Sequence, residues 1–151
     1  MLAELAGAVR KGRVSAKELV ELAYGRIARL NGDLNAVIAL RPEEEAVTEA
    51  EKRQASASES DGPLPLLGLP LLVKDNTDVA GMRTVNGSRL LQDAVLAERD
   101  ARVVERLRAA GAIVVGKTNL PEFACQGFTS NLLFGTTRNP WNRERTCGGS
   151  S

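Results

Sequence analysis

The stretch that decides the fold is Gly68-Leu69-Pro70-Leu71-Leu72-Val73-Lys74-Asp75-Asn76. The adjacent apolar side chains at 71–73 predict a strand that is buried on both faces. Pro70 fits the first position of such a strand, because no ladder donor is needed there. Lys74 closes the strand, and its charge must reach water or hydrogen-bonding partners, since an unpaired buried charge is costly. On these residues alone, a lysine head in solvent is the favoured interpretation.

Composition and charge indicate an ordinary globular protein. The chain has 151 residues, of which 43% are hydrophobic and 26% are charged, which allows a real core. The net charge is +1, without a long block of either sign, so neither a nucleic-acid footprint nor a polybasic membrane patch is predicted. No apolar run approaches a membrane span, and residues 1–12 lack the apolar segment of a signal peptide. Two cysteines are too few for a disulfide framework, and we predict a cytoplasmic protein.

The chain contains no histidine. A Ser-His-Asp site, a Cys-His site and a zinc site with imidazole ligands are therefore impossible within it. Any acid–base chemistry near neutral pH must be carried by a perturbed Lys, Asp, Glu or Cys side chain.

Hydrophobic periodicity and capping residues predict alternating helices and strands, typical of an α/β fold with a parallel strand pair. The predicted elements are a helix over Leu2–Arg10, a helix opened by a capping box at 15–18 and ended at 31–32, a strand over 36–40, a helix from Pro42, the strand ending in Lys74, a helix capped by Asp100, and a strand over 112–115. The helix after Asp100 is expected to turn Val103 and Val104 inward. Residues 56–63 are expected to form a polar connection.

Residues 111–118, Gly-Ala-Ile-Val-Val-Gly-Lys-Thr, match the phosphate-loop pattern letter for letter. A phosphate loop requires a strand, then a flexible loop, then a helix whose amides point at the phosphates. Here the middle residues favour a strand, and Pro121 comes too late to open the required helix. A nucleotide-binding module using Gly116, Lys117 and Thr118 therefore stays only as an alternative.

Several short motifs follow one another along the second half of the chain. They are Leu66 to Asn76, Ile113-Val-Val-Gly-Lys-Thr-Asn119, Glu122-Phe-Ala124, Asn131 with Phe134-Gly135, Asn139-Pro-Trp141, and Gly148-Gly149-Ser150-Ser151. The last four residues alone would suggest a flexible linker. Together, the motifs resemble the amino-terminal part of the amidase signature family, from about Ser15 to the last residue.

This resemblance implies a fold and an activity. The implied fold is α/β, a large mixed β-sheet flanked by helices, of which residues 1–151 would be the amino-terminal portion of a single amidase domain whose remainder is absent. Family members hydrolyse or transfer carboxamides with a Ser-cisSer-Lys triad. Lys74 matches the triad lysine and Ser150 the bridging serine, while the nucleophilic serine would lie beyond residue 151. The fragment alone is therefore expected to be inactive, and no metal or organic cofactor is implied.

These residue types suit amide hydrolysis, which needs an activated nucleophile, an oxyanion site and a proton for the leaving amine. A lysine amine can act as a base when burial disfavours its charged form. A serine hydroxyl both donates and accepts hydrogen bonds, so Ser150 can pass a proton between Lys74 and the nucleophile.

The resemblance also suggests supporting residues. Ser151 would orient the lysine, unless it is only a turn residue. The segment Ala124, Cys125 and Gln126 would border the acyl pocket, unless it is a plain structural loop. Gly149 would allow the chain to approach closely.

Other residues near these motifs are expected to be structural. Asp75 and Asn76 would hold the turn after the strand. Cys125 is expected to be a small buried apolar filler, and Trp141 is expected to pack beneath the glycine loop.

Some residues depart from the family pattern. Cys147 replaces the proline or small residue common before the glycine pair, Asn131 lacks the following serine, and the run 119–127 differs from that of the amidase subunit of tRNA-dependent amidotransferases. We therefore favour a stand-alone amidase acting on a small-molecule carboxamide, and a component of a tRNA-dependent amidotransferase is the alternative. The assembly state is left open, with a homodimer as one candidate. A fragment that serves only as a helical scaffold or partner surface is the third interpretation.

Overall fold

Helices and strands alternate along the chain in a computed structural model, which describes residues 2–57 and 64–150. The elements are α1 (Leu2–Arg10), α2 (Ala16–Leu34), β1 (Val37–Leu40), α3 (Glu43–Ser56), β2 (Pro70–Lys74), α4 (Arg102–Ala109), β3 (Ile113–Thr118), β4 (Ser130–Asn131) and β5 (Gly135–Thr136), with short 3-10 helices at Arg89–Leu91 and Glu122–Ala124. Most of the predicted polar connection over 56–63 lies outside the described residues. Within those residues, no helix is both long and apolar enough to cross a membrane.

The main sheet has three strands in the order β1-β3-β2. Strands β2 and β3 are parallel, with Pro70 opposite Ile113 and Lys74 opposite Thr118, and α4 lies in the connection between them. Strand β1 runs antiparallel to β3, so the sheet is mixed. The α/β class and the parallel strand pair predicted from the sequence are confirmed.

Strand β3 is the centre of the core. Ile113, Val114 and Val115 are buried, and they belong to two different hydrophobic clusters. One cluster joins β3 to α1, α2 and α3 and the other joins it to α4 and the loop after β2. Strand β2 contributes to both clusters, but Leu71 and Leu72 are only half-buried. The prediction of a fully buried β2 is therefore wrong, because β2 is an outer strand of the described sheet and β3 is the inner one.

The predicted capping box opens α2. The Ser15 hydroxyl accepts from the Glu18 amide at 3.0 Å, and the Glu18 carboxylate accepts from the Ser15 amide at 2.7 Å. Hydrogen bonds from the Ser15 amide and hydroxyl hold the pKa of Glu18 below its usual value. The predicted helix end at 31–32 is wrong. The helix continues to Leu34 because Asn35 adopts the left-handed conformation (φ 51°) and donates its amide to the Asn31 carbonyl at 2.7 Å.

Two predictions about α4 are also wrong. Ala101 occupies the position before the helix, without a side-chain cap. Asp100 instead accepts from the Ala80 amide at 2.8 Å and forms an ion pair with Arg108 of α4 at 2.8 Å. It therefore connects the loop at Ala80 with α4. Val104 is fully buried as expected, but Val103 is 54% exposed.

Glu49 on α3 joins three parts of the fold. Its carboxylate lies 2.7 Å from Arg41, which follows β1, and 2.7 Å from Arg108 on α4. Arg41 also donates to the Val114 carbonyl of β3 at 2.8 Å. Burial alone would raise the pKa of Glu49, but the hydrogen bonds and charges of the two arginines outweigh it, so the pKa lies below the ordinary value of 4.5.

We expect Glu49→Gln to lower the free energy of unfolding at pH 7 by about 1–3 kcal/mol, because hydrogen bonds to charged groups contribute on that scale. Since the pKa of Glu49 is lowered in the folded state, its stabilisation is present above pH 4.5 and is lost as the pH falls through the lowered pKa. The difference between variant and wild type should therefore shrink in acid, as measured by urea unfolding across pH. Glu51→Gln on the same helix is the control, because Glu51 is exposed and meets only Lys17, at 3.4 Å, among the described residues. An equal loss in both variants would contradict the role of Glu49.

Candidate active site

Lys74 is held in place by the backbone at the end of β2. The strand pairs residue 74 with Thr118 of β3, and the next amide, that of Asp75, donates to the Thr118 carbonyl at 3.1 Å. The chain then turns at once, since the Thr77 amide donates to the Lys74 carbonyl at 3.1 Å. Strand pairing and the turn therefore fix the direction in which the half-buried Lys74 side chain leaves the sheet.

The amine of Lys74 contacts Ser150, which is 76 residues further along the chain. The Nζ atom donates to the Ser150 hydroxyl at 2.8 Å and also to the Ser150 carbonyl oxygen. The interpretation of Lys74 as a solvent-exposed lysine is therefore wrong. An amine and a hydroxyl at this distance are within reach for proton transfer.

The glycine-rich end of the described chain is anchored and is not a free linker. The peptide bond between Gly149 and Ser150 is cis, and Gly148 has a φ of 84°. The buried Thr129 donates its hydroxyl to the Gly148 carbonyl at 2.9 Å. An added Cβ on Gly149 would lie 3.0 Å from the Thr129 hydroxyl and 3.1 Å from the Pro121 side chain. Contacts with Pro121, Phe128 and Thr129 thus position the backbone that carries Ser150, and no sequence signal indicated Thr129.

The predicted pocket segment lies in the same loop. Ala124 is half-buried with a φ of 59°, and the preceding Phe123 has a φ of 49°. Cys125 and Gln126 are exposed, so the expectation of a buried Cys125 is wrong. The Cys125 thiol lies 3.2 Å from the Phe123 carbonyl. The structure therefore places segment 124–126 in the loop that packs against Gly149.

Asn119 and Asn131 connect this loop to the sheet. The side-chain Nδ2 of Asn131 donates to the Asn119 Oδ1 atom at 2.8 Å and to the Leu120 carbonyl at 2.9 Å. Asn119 in turn donates to the Thr137 hydroxyl at 3.1 Å. These motif asparagines hold the loop between β3 and β5 in shape.

The phosphate-loop interpretation is wrong for this chain. Ile113–Thr118 is the inner strand, so its amides take part in the sheet and do not form an anion cradle. An added Cβ on Gly116 would lie 2.3 Å from the Ala39 carbonyl, which shows that this glycine serves the close approach of β1. Lys117 is fully buried and forms an ion pair with Asp75 at 3.1 Å.

Three further sequence expectations concern the surroundings of the site. Trp141 is 95% exposed, so its predicted packing beneath the glycine loop is wrong. Ser151 lies outside the described residues. Asp75 is buried and its carbonyl accepts from the Asn86 amide at 3.1 Å, in agreement with a role in the turn. In residues 2–57 and 64–150, no group of three or more Cys, Asp or Glu side chains is arranged to hold a metal ion.

Comparisons with known proteins define the class of protein to which this fold and site belong. The family model described as Amidase matches residues 18–151. A bacterial aryl acylamidase of the amidase signature family superposes on the chain with a TM-score of 0.87 and 30% identity, covering 99% of this chain and 31% of that one. The chain belongs to the amidase signature family.

Two curated relatives show the range of activities in this family. The chain is 44% identical to the indoleacetamide hydrolase of Bradyrhizobium diazoefficiens, over 98% of this chain and 28% of the relative. It is 41% identical to a glutamyl-tRNA(Gln) amidotransferase subunit of Chromohalobacter salexigens, over 99% of this chain and 30% of the relative. The chain therefore spans about three tenths of the length of the relatives it matches.

We expect Gly149→Ala to move Ser150 away from Lys74. A residue with a side chain rarely adopts the φ of 152° found here, and the new Cβ would lie only 3.0 Å from the Thr129 hydroxyl and 3.1 Å from the Pro121 side chain. Overpacking of this kind costs about 1–3 kcal/mol of unfolding free energy. The measurement is a crystal structure of the variant, in which the 2.8 Å contact should lengthen beyond hydrogen-bond range.

Gly127→Ala is the matched control, because nothing among the described residues lies within 4 Å of an added Cβ there. It should leave both the contact and the stability unchanged. An intact contact between Lys74 and Ser150 in Gly149→Ala would show that the packing of Gly149 does not position the serine.

Proposed function

We propose that the chain is the amino-terminal part of an amidase that hydrolyses a linear carboxamide through an acyl-serine intermediate. Lys74 is the base, Ser150 is the proton relay, and the nucleophilic serine lies outside residues 1–151. The observation that carries this proposal is the 2.8 Å contact between the Lys74 amine and the Ser150 hydroxyl. Membership of the amidase family supports it.

The proton route follows from the donors and acceptors at this contact. The Lys74 amine takes the Ser150 hydroxyl proton while the Ser150 oxygen takes the proton of the nucleophilic serine. The nucleophile then bonds to the carbonyl carbon of the substrate. When the C–N bond breaks, the proton returns through Ser150 to the leaving amine. Water then bonds to the acyl carbon while its proton passes through Ser150 to Lys74, and the proton returns through Ser150 to the nucleophilic serine as the acyl–serine bond breaks.

The Ser150 carbonyl gives Lys74 a second acceptor besides the hydroxyl. Two acceptors on one residue restrict the rotation of a long, flexible side chain, whose entropy would otherwise oppose a fixed geometry. Orientation of the reacting groups is a large part of the rate enhancement in enzymes. The contact therefore supports a relay geometry that exists before the substrate binds.

The substrate carboxamide would lie beside the loop that carries Ala124, Cys125 and Gln126. This placement is supported by the packing of residues 121 and 128 against Gly149 and by the exposure of Cys125 and Gln126. In this proposal, backbone groups of the segment and of Gly149 meet the acyl part of the substrate.

A stand-alone amidase is the form of the enzyme that we favour. Similarity to relatives does not separate the alternatives, since the chain is 44% identical to the hydrolase and 41% identical to the amidotransferase component. The departures at Cys147, at Leu132 and in the run 119–127 support the stand-alone form. Hydrolysis of a simple carboxamide by the full-length protein without other polypeptides tests this choice. The cytoplasmic location and the homodimer stay predictions from the sequence.

We expect Lys74→Ala in the full-length enzyme to lower kcat by about 10²- to 10⁴-fold, the usual contribution of a general base. The measurement is release of the amine from a carboxamide, with circular dichroism to show that the fold is kept. Lys52→Ala, which removes an exposed lysine of α3, is the control and should leave kcat unchanged. Wild-type kcat in Lys74→Ala would exclude Lys74 as the base.

Ser150→Ala should cause a loss of similar size, because it interrupts the same proton route. The double variant Lys74→Ala/Ser150→Ala should have a kcat no lower than that of the less active single variant, since the effects of residues that act as one unit are not additive. Losses that multiply in the double variant would show that the two side chains act independently.

A further inference from the structure

The buried ion pair between Lys117 and Asp75 has no place in the proton route described above. The two side chains are 0% and 2% exposed, and their charged atoms lie 3.1 Å apart. Asp75 directly follows Lys74, and Lys117 pairs with Val73 in the sheet. The pair therefore lies beside the proposed base.

The Lys117 amine has three oxygen partners inside the fold. It donates hydrogen bonds to the Arg83 carbonyl at 3.0 Å and to the Thr84 hydroxyl at 2.8 Å, and it forms the ion pair with the Asp75 carboxylate at 3.1 Å. Lys117, a residue of the middle strand β3, thus joins the turn after β2 to the loop at 83–84. The Asp75 carbonyl adds a second link to that loop by accepting from the Asn86 amide at 3.1 Å.

The negative charge of the buried Asp75 carboxylate is compensated by Lys117. The Oδ1 atom forms the ion pair with the Lys117 amine and accepts a hydrogen bond from the Val85 amide at 3.5 Å. Its Oδ2 atom is buried and has no hydrogen-bond partner in the part of the chain that the structure describes. Removing one partner of a buried pair leaves an uncompensated charge, which is strongly unfavourable. Without Lys117, the Asp75 side chain would have to move towards water, and the turn that carries the Lys74 carbonyl would move with it.

We propose that Lys117 and Asp75 are positioning residues for Lys74, which hold the end of β2 so that the lysine amine meets Ser150. This inference rests on the proposed function for its effect on catalysis, but not for its effect on geometry. Lys117 acts through Asp75, and neither side chain touches the substrate. The pair fixes the direction of the base, and the contacts of Gly149 with Pro121, Phe128 and Thr129 fix the position of the relay serine.

The first test is Lys117→Met in the full-length enzyme. We expect kcat per active site, counted by titration with an acylating inhibitor, to fall about 10- to 100-fold, because a displacement of about 1 Å of a catalytic group has effects of this size. The KM should change little, since substrate binding does not involve the pair. A crystal structure of the variant should show the contact between Lys74 and Ser150 lengthened from 2.8 Å beyond hydrogen-bond range.

The second test is Asp75→Leu/Lys117→Met, which replaces both charges with apolar side chains. Such replacements are often neutral or stabilising, so this variant should fold even where Lys117→Met does not. A positioning role predicts that kcat stays low and that the contact stays broken in the folded double variant. Recovery of wild-type kcat together with the 2.8 Å contact would overturn the proposal, because the pair would then serve stability alone.

Glu49→Gln is the matched control, because it breaks a different ion-pair cluster, which joins α3 to Arg41 and to α4. It should lower stability while leaving kcat per active site unchanged. If the wild-type enzyme hydrolyses no carboxamide, the proposed function fails, and the distance between Lys74 and Ser150 in the crystal structures of the variants still decides the positioning role.

Discussion

The parallel pairing of β2 with β3 is the constraint on which the rest of the structure depends. It sets Lys74 opposite Thr118 and Val73 opposite Lys117, so both lysines are fixed by one register. A shift of one residue would turn every side chain of β2 to the other face of the sheet. It would carry the Lys74 amine away from Ser150 and expose Val73, which is part of the core. The hydrophobic pattern of β2 therefore determines where the functional amine lies.

Lys117 and Lys74 differ in their surroundings, and these surroundings fit a structural role for Lys117 and a role in proton transfer for Lys74. The amine of Lys117 donates two hydrogen bonds and forms an ion pair inside the fold. Within the described residues, the amine of Lys74 meets only acceptors of Ser150, and its side chain is half-buried. An amine whose contacts are all with one serine can exchange a proton with that hydroxyl. An ammonium group that is paired with a carboxylate and hydrogen-bonded on other sides has a structural role instead. The sequence pattern drew attention to Lys117 as a phosphate ligand, and the structure shows why that residue type is needed for another reason.

Local signals in the sequence predicted the elements well. The capping box at Ser15, the β-branched run of β3 and the strand-helix-strand order all led to the observed elements, because these features act over a few residues.

Most of the errors concern contacts between residues that are distant in the sequence, whereas the end of α2 is a local error decided at Asn35. Asp100 stands where a helix cap is expected, but it accepts from the Ala80 amide and forms an ion pair with Arg108. Two expected packing residues, Cys125 and Trp141, are exposed. Nothing within a short window of sequence reports which distant partner a polar side chain will meet. Lys74 and Ser150 were brought together only by a family resemblance, and Thr129 was missed because its partner, Gly148, is 19 residues away.

The exposure of Trp141 has a practical consequence for studies in solution. It is the single tryptophan of the chain, and its side chain is 95% exposed. An indole in water already emits as it would in an unfolded polypeptide, so intrinsic fluorescence of this chain would change little on denaturation. The same indole would shift its emission to shorter wavelength if another polypeptide segment covered it. Trp141 is therefore a built-in reporter of association, and a poor reporter of unfolding.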